Sequence, residues 1–240
     1  MDQNTEVQKS FAQTATPYIF AVLSAIFVLL YFFDKPFYLA VIREDSLAEW
    51  LTFAFLVATG VISLITGMIV KRRYGYLHWF FLLFFAFNIL AGLEEISWGQ
   101  RVFNMTTEGV FAKYSDQNEI NLHNTMQGLL MVKTKHIAMY VLFFYGVILP
   151  WLVKKGKISS AWLKRVQLIV PHMFLRGGFL IASLLMIDIP TGHEEEIGEF
   201  FYSICFVLMM LYNYYLAKRT DAFATPGQAI RSKSMPSFKE

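Results

Sequence analysis

The sequence has little charge and almost no cysteine. Charged residues make up 16% of its 240 residues, against about 25% in soluble globular domains. Hydrophobic residues make up 56%, including 24 phenylalanines, and the mean hydropathy is +0.45. The single cysteine, Cys205, lies in an apolar run, so the chain can form no internal disulfide. This composition excludes a soluble domain and a disulfide-stabilised secreted domain, and it predicts an integral membrane protein.

Several catalytic and binding motifs are also missing. The sequence has no HExxH metal motif, no glycine-rich phosphate loop, and no serine, histidine and aspartate at the spacing of a hydrolase triad. It shows no nucleic-acid-binding signature, so no nucleic-acid partner is expected. Inverted repeats and paired broken helices are absent as well, which argues against a common plan of secondary transporters. Any chemistry must therefore come from residues that are distant in sequence.

Apolar stretches predict an all-α protein, a polytopic transmembrane bundle of about six spans. About 20 apolar residues are needed to cross the hydrocarbon core of a membrane. Residues 1–16 form a polar N-terminal segment, so we expect a retained first span and no cleavable signal peptide. Residues 218–240 are basic and are predicted to form a flexible tail. The predicted spans of the transmembrane domain 17–217 cover residues 17–33, 46–70, 77–100, 137–153, 166–189 and 195–217.

The basic residues predict the orientation of the bundle. With six spans, the basic loops 71–73 and 154–165 and the basic tail fall on one side, which the positive-inside rule makes cytoplasmic. Both termini are then cytoplasmic. The segment between the third and fourth spans lies outside, and its apolar residues predict a partly helical, ordered structure against the membrane surface.

One stretch concentrates polar groups at the end of a predicted span. Residues 92–103 read GLEEISWGQRVF, in which two adjacent carboxylates, Glu94 and Glu95, follow a long apolar run. Ionisable groups at the end of a membrane helix suggest a functional site. Glu95 and Trp98 are three residues apart and are predicted to share a helix face, with Glu94 pointing elsewhere. A plain helix end in headgroup water would explain one acid and one tryptophan only.

The same topology brings other polar groups to the outer side. Glu49 opens the second span there, and Glu199 lies a turn inside the sixth span. We therefore predict an outward-facing polar pocket in which Glu95 and Glu199 are the catalytic residues. The predicted binding residues are Glu49, Trp98, Arg101, Asn121 and Arg176.

A metal site is one interpretation of this pocket. Glu195 and Glu199 are four residues apart, a spacing that suits two ligands of one ion. Carboxylates with one or two imidazoles favour zinc, manganese or iron, and such an ion can lower the pKa of a bound water to about 7. Local explanations also exist, because 46–49 and 191–194 match helix capping boxes. The predicted metal ligands are Glu95, His123, His193, Glu195 and Glu199.

An ion-paired core is the other interpretation. Arg176 lies near the middle of its predicted span and needs a partner or a water-filled cavity. Gly177 and Gly178 would let a neighbouring helix approach closely there. Arg101 is the other arginine available for pairing. The candidate partners of the two arginines are Glu95, Glu199 and Asp188.

These interpretations lead to two candidate functions. The first is a metal-dependent membrane hydrolase that acts on lipid or another outer-leaflet substrate. The second is a non-catalytic membrane subunit, scaffold or small transporter in which the same charges pair structurally. Membrane lipids are the expected partners in both cases. The aromatic content also provides packing surface for a membrane protein partner or a second copy of the chain.

Four segments together resemble those of bacterial multi-pass membrane proteins that have no assigned activity. They are REDSLAEWLTF (43–53), GLEEISWGQRVF (92–103), QNEINLHN (117–124) and the acidic opening of the sixth span. The resemblance implies a common fold in the bacterial inner membrane, and no reaction. A weaker analogy is to the alkaline-ceramidase-like membrane hydrolases, which arrange histidines, an aspartate and a serine around zinc in a helical bundle. This chain lacks their paired histidines at i, i+4 and has glutamates near His193 instead.

Overall fold

The computed structural model describes residues 3–43, 46–100, 102–115, 120–122, 125–126, 134–187 and 190–224. Every regular element in these residues is helical and none is a strand, so the predicted all-α class is confirmed. The helices are α1 (Gln3–Phe33), α2 (Lys35–Ile42), α3 (Leu47–Tyr74), α4 (Trp79–Glu95), α5 (Gly109–Tyr114), α6 (Thr134–Phe143 to Leu149–Lys154), α7 (Ser160–Arg165), α8 (Arg176–Leu185) and α9 (Glu194–Arg219). The two parts of α6 are joined by a π-helical turn, Phe144–Ile148, and a 3-10 turn, Met173–Leu175, precedes α8.

Helix length and composition agree with a membrane protein. Among the described residues, four helical stretches are long and apolar enough to cross a membrane. Helix α4 is strongly apolar but has 17 residues, which is at the lower limit for a span. The predicted number of about six spans is therefore not confirmed. The four stretches are Ala12–Phe33, Lys35–Tyr74, Lys135–Lys154 and Glu194–Arg219.

The predicted fifth span, 166–189, forms a helix only in part. Residues 166–172 are not helical, and α8 has only 10 residues, a length of about 15 Å. Gln167 has a φ of 54°. Pro171 has no N–H group and disfavours the helical conformation of the residue before it. The hydroxyl of Tyr145 donates a hydrogen bond to the Ile169 carbonyl at 2.7 Å, a type of partner that non-helical backbone needs at membrane depth.

Helix α9 is the centre of the bundle. Helices α3 and α8 pack along it, α4 packs on α3, and α1 lies at the periphery. Phe201, Cys205 and Met209 of α9 are fully buried. Helix α1 exposes large apolar side chains such as Phe32 and Phe33, and an apolar outer surface suits contact with lipid.

Helices α3 and α9 run in the same direction. The rings of Phe55 and Phe200 lie 5.9 Å apart near the start of both helices. At the other end of the same pair, an Arg73 guanidinium nitrogen donates to the Ala217 carbonyl at 3.0 Å. The glutamates that open α3 and α9 are therefore brought to one end of the bundle.

Helix α4 runs in the opposite direction to α3. Ser63 of α3 donates a hydrogen bond to the Phe81 carbonyl near the start of α4 at 2.8 Å, and Gly92 near the end of α4 packs against Leu56. The last residues of α4 therefore reach the end where α3 and α9 begin. We call that end, with Glu49, Glu95 and residues 194–199, the acidic end. The opposite end, with residues 71–73 and 218–219, is the basic end.

The two predicted capping boxes form differently from expectation. Ser46 precedes α3, but its hydroxyl donates to the Val41 carbonyl. It accepts no hydrogen bond from the first turn of α3, so the capping bond predicted for Ser46 is not formed. Thr191 does donate to the Glu194 carboxylate, through its N–H group at 3.0 Å and its hydroxyl at 2.6 Å. Glu194 is nevertheless the first residue of α9, where a capping box would place it at the third position.

The chain after α9 is bonded to the turn between α3 and α4. Arg73 donates to the Thr220 carbonyl at 3.0 Å and pairs with the Asp221 carboxylate at 3.1 Å. The Tyr76 hydroxyl donates to the Phe223 carbonyl at 2.8 Å. These contacts hold the beginning of the predicted tail against the basic end.

His78 is expected to make the stability of the protein depend on pH. Its imidazole is 4% exposed and packs on the rings of Phe81 and Phe223, with centroids 4.6 and 5.6 Å away. Burial lowers the pKa of His78 from 6.5 to about 4, so between these values the unfolded chain binds the proton more readily than the folded chain. The free energy of unfolding should therefore fall by about 3 kcal/mol as the pH decreases from 6.5 to 4.

A His78→Phe variant should lose this part of the pH dependence, because phenylalanine keeps the ring contacts and binds no proton. Thermal unfolding of the detergent-purified protein at about pH 7 and about pH 4.5 measures the difference. His193→Phe is the matched control, since His193 is exposed and its replacement should leave the wild-type dependence. Equal pH dependence in the wild type and His78→Phe would contradict the prediction.

Candidate functional site

Three glutamates from two distant parts of the chain meet at the acidic end. One carboxylate oxygen each of Glu95, Glu196 and Glu199 lies within 4.8 Å of the other two. Glu95 is the last residue of α4, and the other two lie in the first turns of α9. All three side chains are partly exposed. We call these three residues the carboxylate group.

The turn after α4 explains the position of Glu95. Ser97, Trp98 and Gly99 have φ values of 46°, 56° and 76°. Left-handed backbone at a residue other than glycine costs of order 1 kcal/mol, and it ends the helix at once. Glu95 is therefore left at the terminus of α4, where its carboxylate meets those of α9.

The rotation of α9 explains the position of the other two glutamates. Glu196 and Glu199 are three residues apart and share one face of the helix. On a different face α8 approaches closely at Gly198, where an added Cβ would lie 2.9 Å from the Met186 sulfur. Packing against α8 therefore fixes the rotation of α9 and turns the two glutamates toward α4.

Further charges surround the carboxylate group, and Glu94 and Glu195 are the ones adjacent to it in sequence. Glu49 interacts electrostatically with both Glu95 and Glu199. Lys135 of α6 pairs with Glu195, and its charge also acts on Glu199. Among the residues that the structure describes, Glu95 and Glu199 have no hydrogen-bond or ion-pair partner. Two negative charges at 4.8 Å repel by about 3 kcal/mol at an effective dielectric constant of about 20, so the group favours a cation or shared protons.

Trp98 contacts Glu94 and not Glu95. Because α4 ends before Trp98, the predicted shared face of Glu95 and Trp98 is not formed, and that prediction is wrong. The Trp98 Nε1–H group donates to the Glu94 carboxylate at 2.6 Å. The other carboxylate oxygen of Glu94 accepts from the Leu122 N–H group at 2.7 Å. Glu94, which the sequence predicts to point away, is thus the residue that joins α4 to the segment between α4 and α6.

Asn121 and Gln100 strengthen this connection. The Asn121 side-chain amide donates to the Glu94 carbonyl at 3.0 Å. The Gln100 side chain accepts from the Ile120 N–H group at 2.6 Å and donates to the Thr107 hydroxyl at 2.7 Å. The predicted binding residue Asn121 therefore lies beside the acidic end, and its contacts hold this segment in place.

Glu194 lies next to the carboxylate group in sequence but has a structural role. Its side chain is 1% exposed. It accepts hydrogen bonds from the Tyr38 hydroxyl at 3.1 Å, the Thr191 hydroxyl at 2.6 Å and the Gly192 N–H group at 3.0 Å. A buried carboxylate with this many donors is satisfied without a metal ion.

Asn88 extends the polar face of α4 into the bundle. It lies seven residues before Glu95, which is two turns along the same face. The side chain is 0% exposed, and its amide nitrogen donates to the Phe84 carbonyl at 2.7 Å. Its Oδ1 atom has no hydrogen-bond partner within the described ranges. A buried amide oxygen of this kind is a suitable place for an internal water molecule.

The remaining predicted site residues do not join the carboxylate group as the structure describes it. His193 is exposed just before α9, and Glu195 is engaged in the ion pair with α6. Arg176 is the first residue of α8, whose other end contacts α9 near the acidic end. The length of α8 separates Arg176 from the acidic end by about 15 Å, so its predicted pairing with Glu95 or Glu199 is not formed. The Nε atom of Arg176 is buried with no hydrogen-bond partner in the described part of the chain. The predicted residues Arg101, His123 and Asp188 lie outside the described residues.

Glu196 is the member of the carboxylate group that is not among the residues predicted from the sequence. The spacing of four residues between Glu195 and Glu199 favours Glu195, but the spacing of three between Glu196 and Glu199 also places two residues on one helix face. The rotation of α9 decides between the two neighbours. The spacing of three is therefore the sequence signal for Glu196.

No protein-family model matches the chain, and no curated protein or solved structure shows a match to it. The resemblance to bacterial multi-pass membrane proteins therefore stays an expectation from four sequence segments. The geometry and the charges of the acidic end are the basis of the functional proposal.

Proposed function

We propose that this chain is a multi-pass membrane hydrolase that holds a divalent cation on Glu95, Glu196 and Glu199 and acts on a lipid or another outer-leaflet substrate. The observation that carries the proposal is the convergence of three carboxylates within 4.8 Å at one end of the bundle. Their repulsion calls for a positive charge. Among the described residues, no lysine or arginine forms an ion pair with Glu95 or Glu199.

The composition of the carboxylate group favours a particular class of cation. A calcium ion lies about 2.3–2.6 Å from each oxygen ligand, so two of its ligands are at most about 5 Å apart. The three carboxylate oxygens, which lie within 4.8 Å of one another, can therefore bind one ion of this size. Sites made of oxygen ligands favour magnesium, calcium or manganese. The carboxylate group contains no histidine. Zinc and iron, which the predicted ligands His123 and His193 would favour, are therefore less suitable, and manganese remains a suitable ion.

The proposed chemistry is hydrolysis of an ester or phosphoester bond. A divalent cation held by Glu95, Glu196 and Glu199 would supply a more acidic water and a Lewis acid at the scissile bond. A carboxylate oxygen of Glu95 or Glu199 that does not bind the cation would accept a proton from the attacking water. As the water oxygen bonds to the acyl or phosphoryl centre, the bond to the leaving oxygen would break, and the carboxyl group would return the proton to that oxygen.

Charge supports the assignment of the acidic end to the outer face. The basic loops at 71–73 and 154–157 and the basic residues 218–219 follow α3, α6 and α9, and the positive-inside rule makes such loops cytoplasmic. Six crossings with both termini in the cytoplasm then require α4 to be one short span and α8, together with the non-helical residues 166–172 before it, to be another. The carboxylate group would lie at headgroup depth in the bacterial inner membrane, within reach of lipid ester and phosphate groups.

The ion pair between Lys135 and Glu195 favours a second candidate function, a non-catalytic membrane subunit, scaffold or small transporter. This pair joins α6 to α9 at the acidic end, as structural charge pairing would. In this case the carboxylate group shares protons and binds no metal. A membrane protein partner or a second copy of the chain would then complete the functional unit.

The metal content of the detergent-purified protein tests the proposal. After incubation with Mn²⁺ and dialysis, we expect about one manganese per chain in the wild type and less than about a tenth of that in Glu95→Gln, because affinity depends on the number of charged ligands. Glu108→Gln is the matched control, since Glu108 is exposed and outside the carboxylate group. This control should retain the metal.

Thermal unfolding separates the two candidate functions. For a metal site, Mn²⁺ should raise the melting temperature of the wild type and of Glu108→Gln but not that of Glu95→Gln. Without metal, Glu95→Gln should be at least as stable as the wild type, because one of the repelling charges is gone. A well-folded wild type without metal, together with a strongly destabilised Glu95→Gln, would overturn the hydrolase proposal and favour the structural function.

A further inference from the structure

An apolar cavity lies on the other side of α9. Its volume is about 420 Å³, within the range of about 300–1,000 Å³ that is typical of small-molecule sites. Helices α1, α2, α8 and α9 line it, together with Pro190. Its polar side chains are those of Ser24, Tyr31, Tyr38 and Glu194, and the rest of the lining is apolar.

The cavity is continuous with the lipid-facing surface of the bundle. Val28 and Phe32 of α1 line the cavity and are at the same time 54% and 75% exposed. Ile181 and Leu185 of α8 form the facing wall. A membrane-embedded chain meets acyl chains at this surface, so an acyl chain can enter sideways between α1 and α8 without crossing a polar barrier.

The end of the cavity near the acidic end carries a positive charge. Tyr31 lines the cavity, and the Lys35 ammonium lies 5.4 Å from the centroid of its ring. Within the described residues Lys35 forms no ion pair. The adjacent carboxylate of Asp34 accepts a hydrogen bond from the Phe37 N–H group at 3.1 Å. An exposed ammonium at the mouth of an apolar cavity complements a phosphate that is attached to an acyl chain.

We propose that this cavity binds one acyl chain of an anionic phospholipid, with Lys35 in contact with the lipid phosphate. The binding site is separate from the carboxylate group. Ile197 and Phe201 line the cavity, whereas Glu196 and Glu199 face α4, and these two pairs lie on opposite faces of α9. Lipid binding at this cavity therefore does not depend on a bound metal.

Two variants of α8 test the acyl-chain site. Leu185→Trp places a larger side chain into the cavity, whereas Leu184→Trp adds the same side chain at a neighbouring position that is 58% exposed and does not line the cavity. Native mass spectrometry of the purified full chain with lysophosphatidylglycerol measures the bound fraction. We expect Leu185→Trp to bind this lipid about tenfold more weakly than the wild type and Leu184→Trp to bind it normally.

A variant of Lys35 tests the phosphate contact without changing the core. Lys35→Gln should bind lysophosphatidylglycerol about fivefold more weakly while its binding of a monoacylglycerol with the same chain, which has no phosphate, stays unchanged. Equal lipid binding by the wild type and Leu185→Trp, or equal loss in Leu184→Trp, would overturn the acyl-chain site. Equal loss of both lipids in Lys35→Gln would overturn the phosphate contact. These variants should bind manganese normally. A loss of lipid binding with normal manganese binding therefore concerns the acyl-chain site alone and does not bear on the proposed hydrolase function.

Discussion

Replacing Glu194 with alanine is expected to lower the free energy of unfolding by about 3 kcal/mol or more. The carboxylate is 1% exposed and accepts hydrogen bonds from Tyr38, Thr191 and Gly192. Its loss would leave the buried Tyr38 hydroxyl without an acceptor, at a cost of about 1–3 kcal/mol, and would remove the hydrogen bonds of Thr191 and Gly192, whose donors are not fully buried, at about 1 kcal/mol each. The connection between α2 and the start of α9 would be lost as well. Thermal or denaturant unfolding of the detergent-purified protein measures the effect.

Tyr38→Phe is the graded control for this change. It removes one donor and leaves Glu194 with its bonds to Thr191 and Gly192, so we expect a loss of about 1 kcal/mol. Both variants keep the carboxylate group and should bind Mn²⁺ normally at a temperature where they are folded. A Glu194→Ala protein no less stable than Tyr38→Phe would contradict the structural role of Glu194.

Replacing Gly178 with alanine is expected to destabilise the bundle by about 1–3 kcal/mol. An added Cβ at this position would lie 2.3 Å from the tip of the Phe20 ring, and the ring cannot move freely because it is 2% exposed among other core residues. Overpacking of this kind forces a shift of α1 or α8. The same measurement of thermal unfolding detects it.

Gly177→Ala is the matched control, because the two glycines are neighbours in one helix. An added Cβ at Gly177 meets no atom within 4 Å, and alanine has a higher helix propensity than glycine. This variant should be as stable as the wild type or slightly more stable. The sequence presents the two glycines as equivalent sites of close helix approach, and the structure assigns that role to Gly178. Equal stability of the two variants would contradict this assignment.

The convergence of Glu49, Glu95 and Glu199 could be predicted from the sequence. The alternation of apolar stretches and basic loops fixes which helix ends lie together, and this requires no knowledge of side-chain contacts. The choice of Glu196 over Glu195 could not be predicted in this way. The two neighbours differ by about 100° around the helix, and the close contact of Gly198 with α8 determines which one faces α4.

Local backbone geometry limited the other predictions. The apolar stretch 166–189 has the length of a span, but the left-handed Gln167 and the following Pro171 leave only a 10-residue helix in its second half. The left-handed conformation of Ser97 and Trp98 ends α4 early and turns Trp98 toward Glu94. Residues other than glycine adopt this conformation only when their surroundings impose it, so the residue types alone do not reveal it.

Titration of Mn²⁺ into the detergent-purified wild type, Glu196→Gln and Glu195→Gln tests the central claim most directly. The two variants differ by one position and remove the same charge. The carboxylate group predicts that Glu196→Gln weakens Mn²⁺ binding at least about tenfold, whereas Glu195→Gln, which breaks the ion pair with Lys135 and removes a charge outside the group, leaves it within about twofold. A larger loss in Glu195→Gln than in Glu196→Gln, or no Mn²⁺ binding by the folded wild type, would contradict the claim that these three glutamates hold a cation.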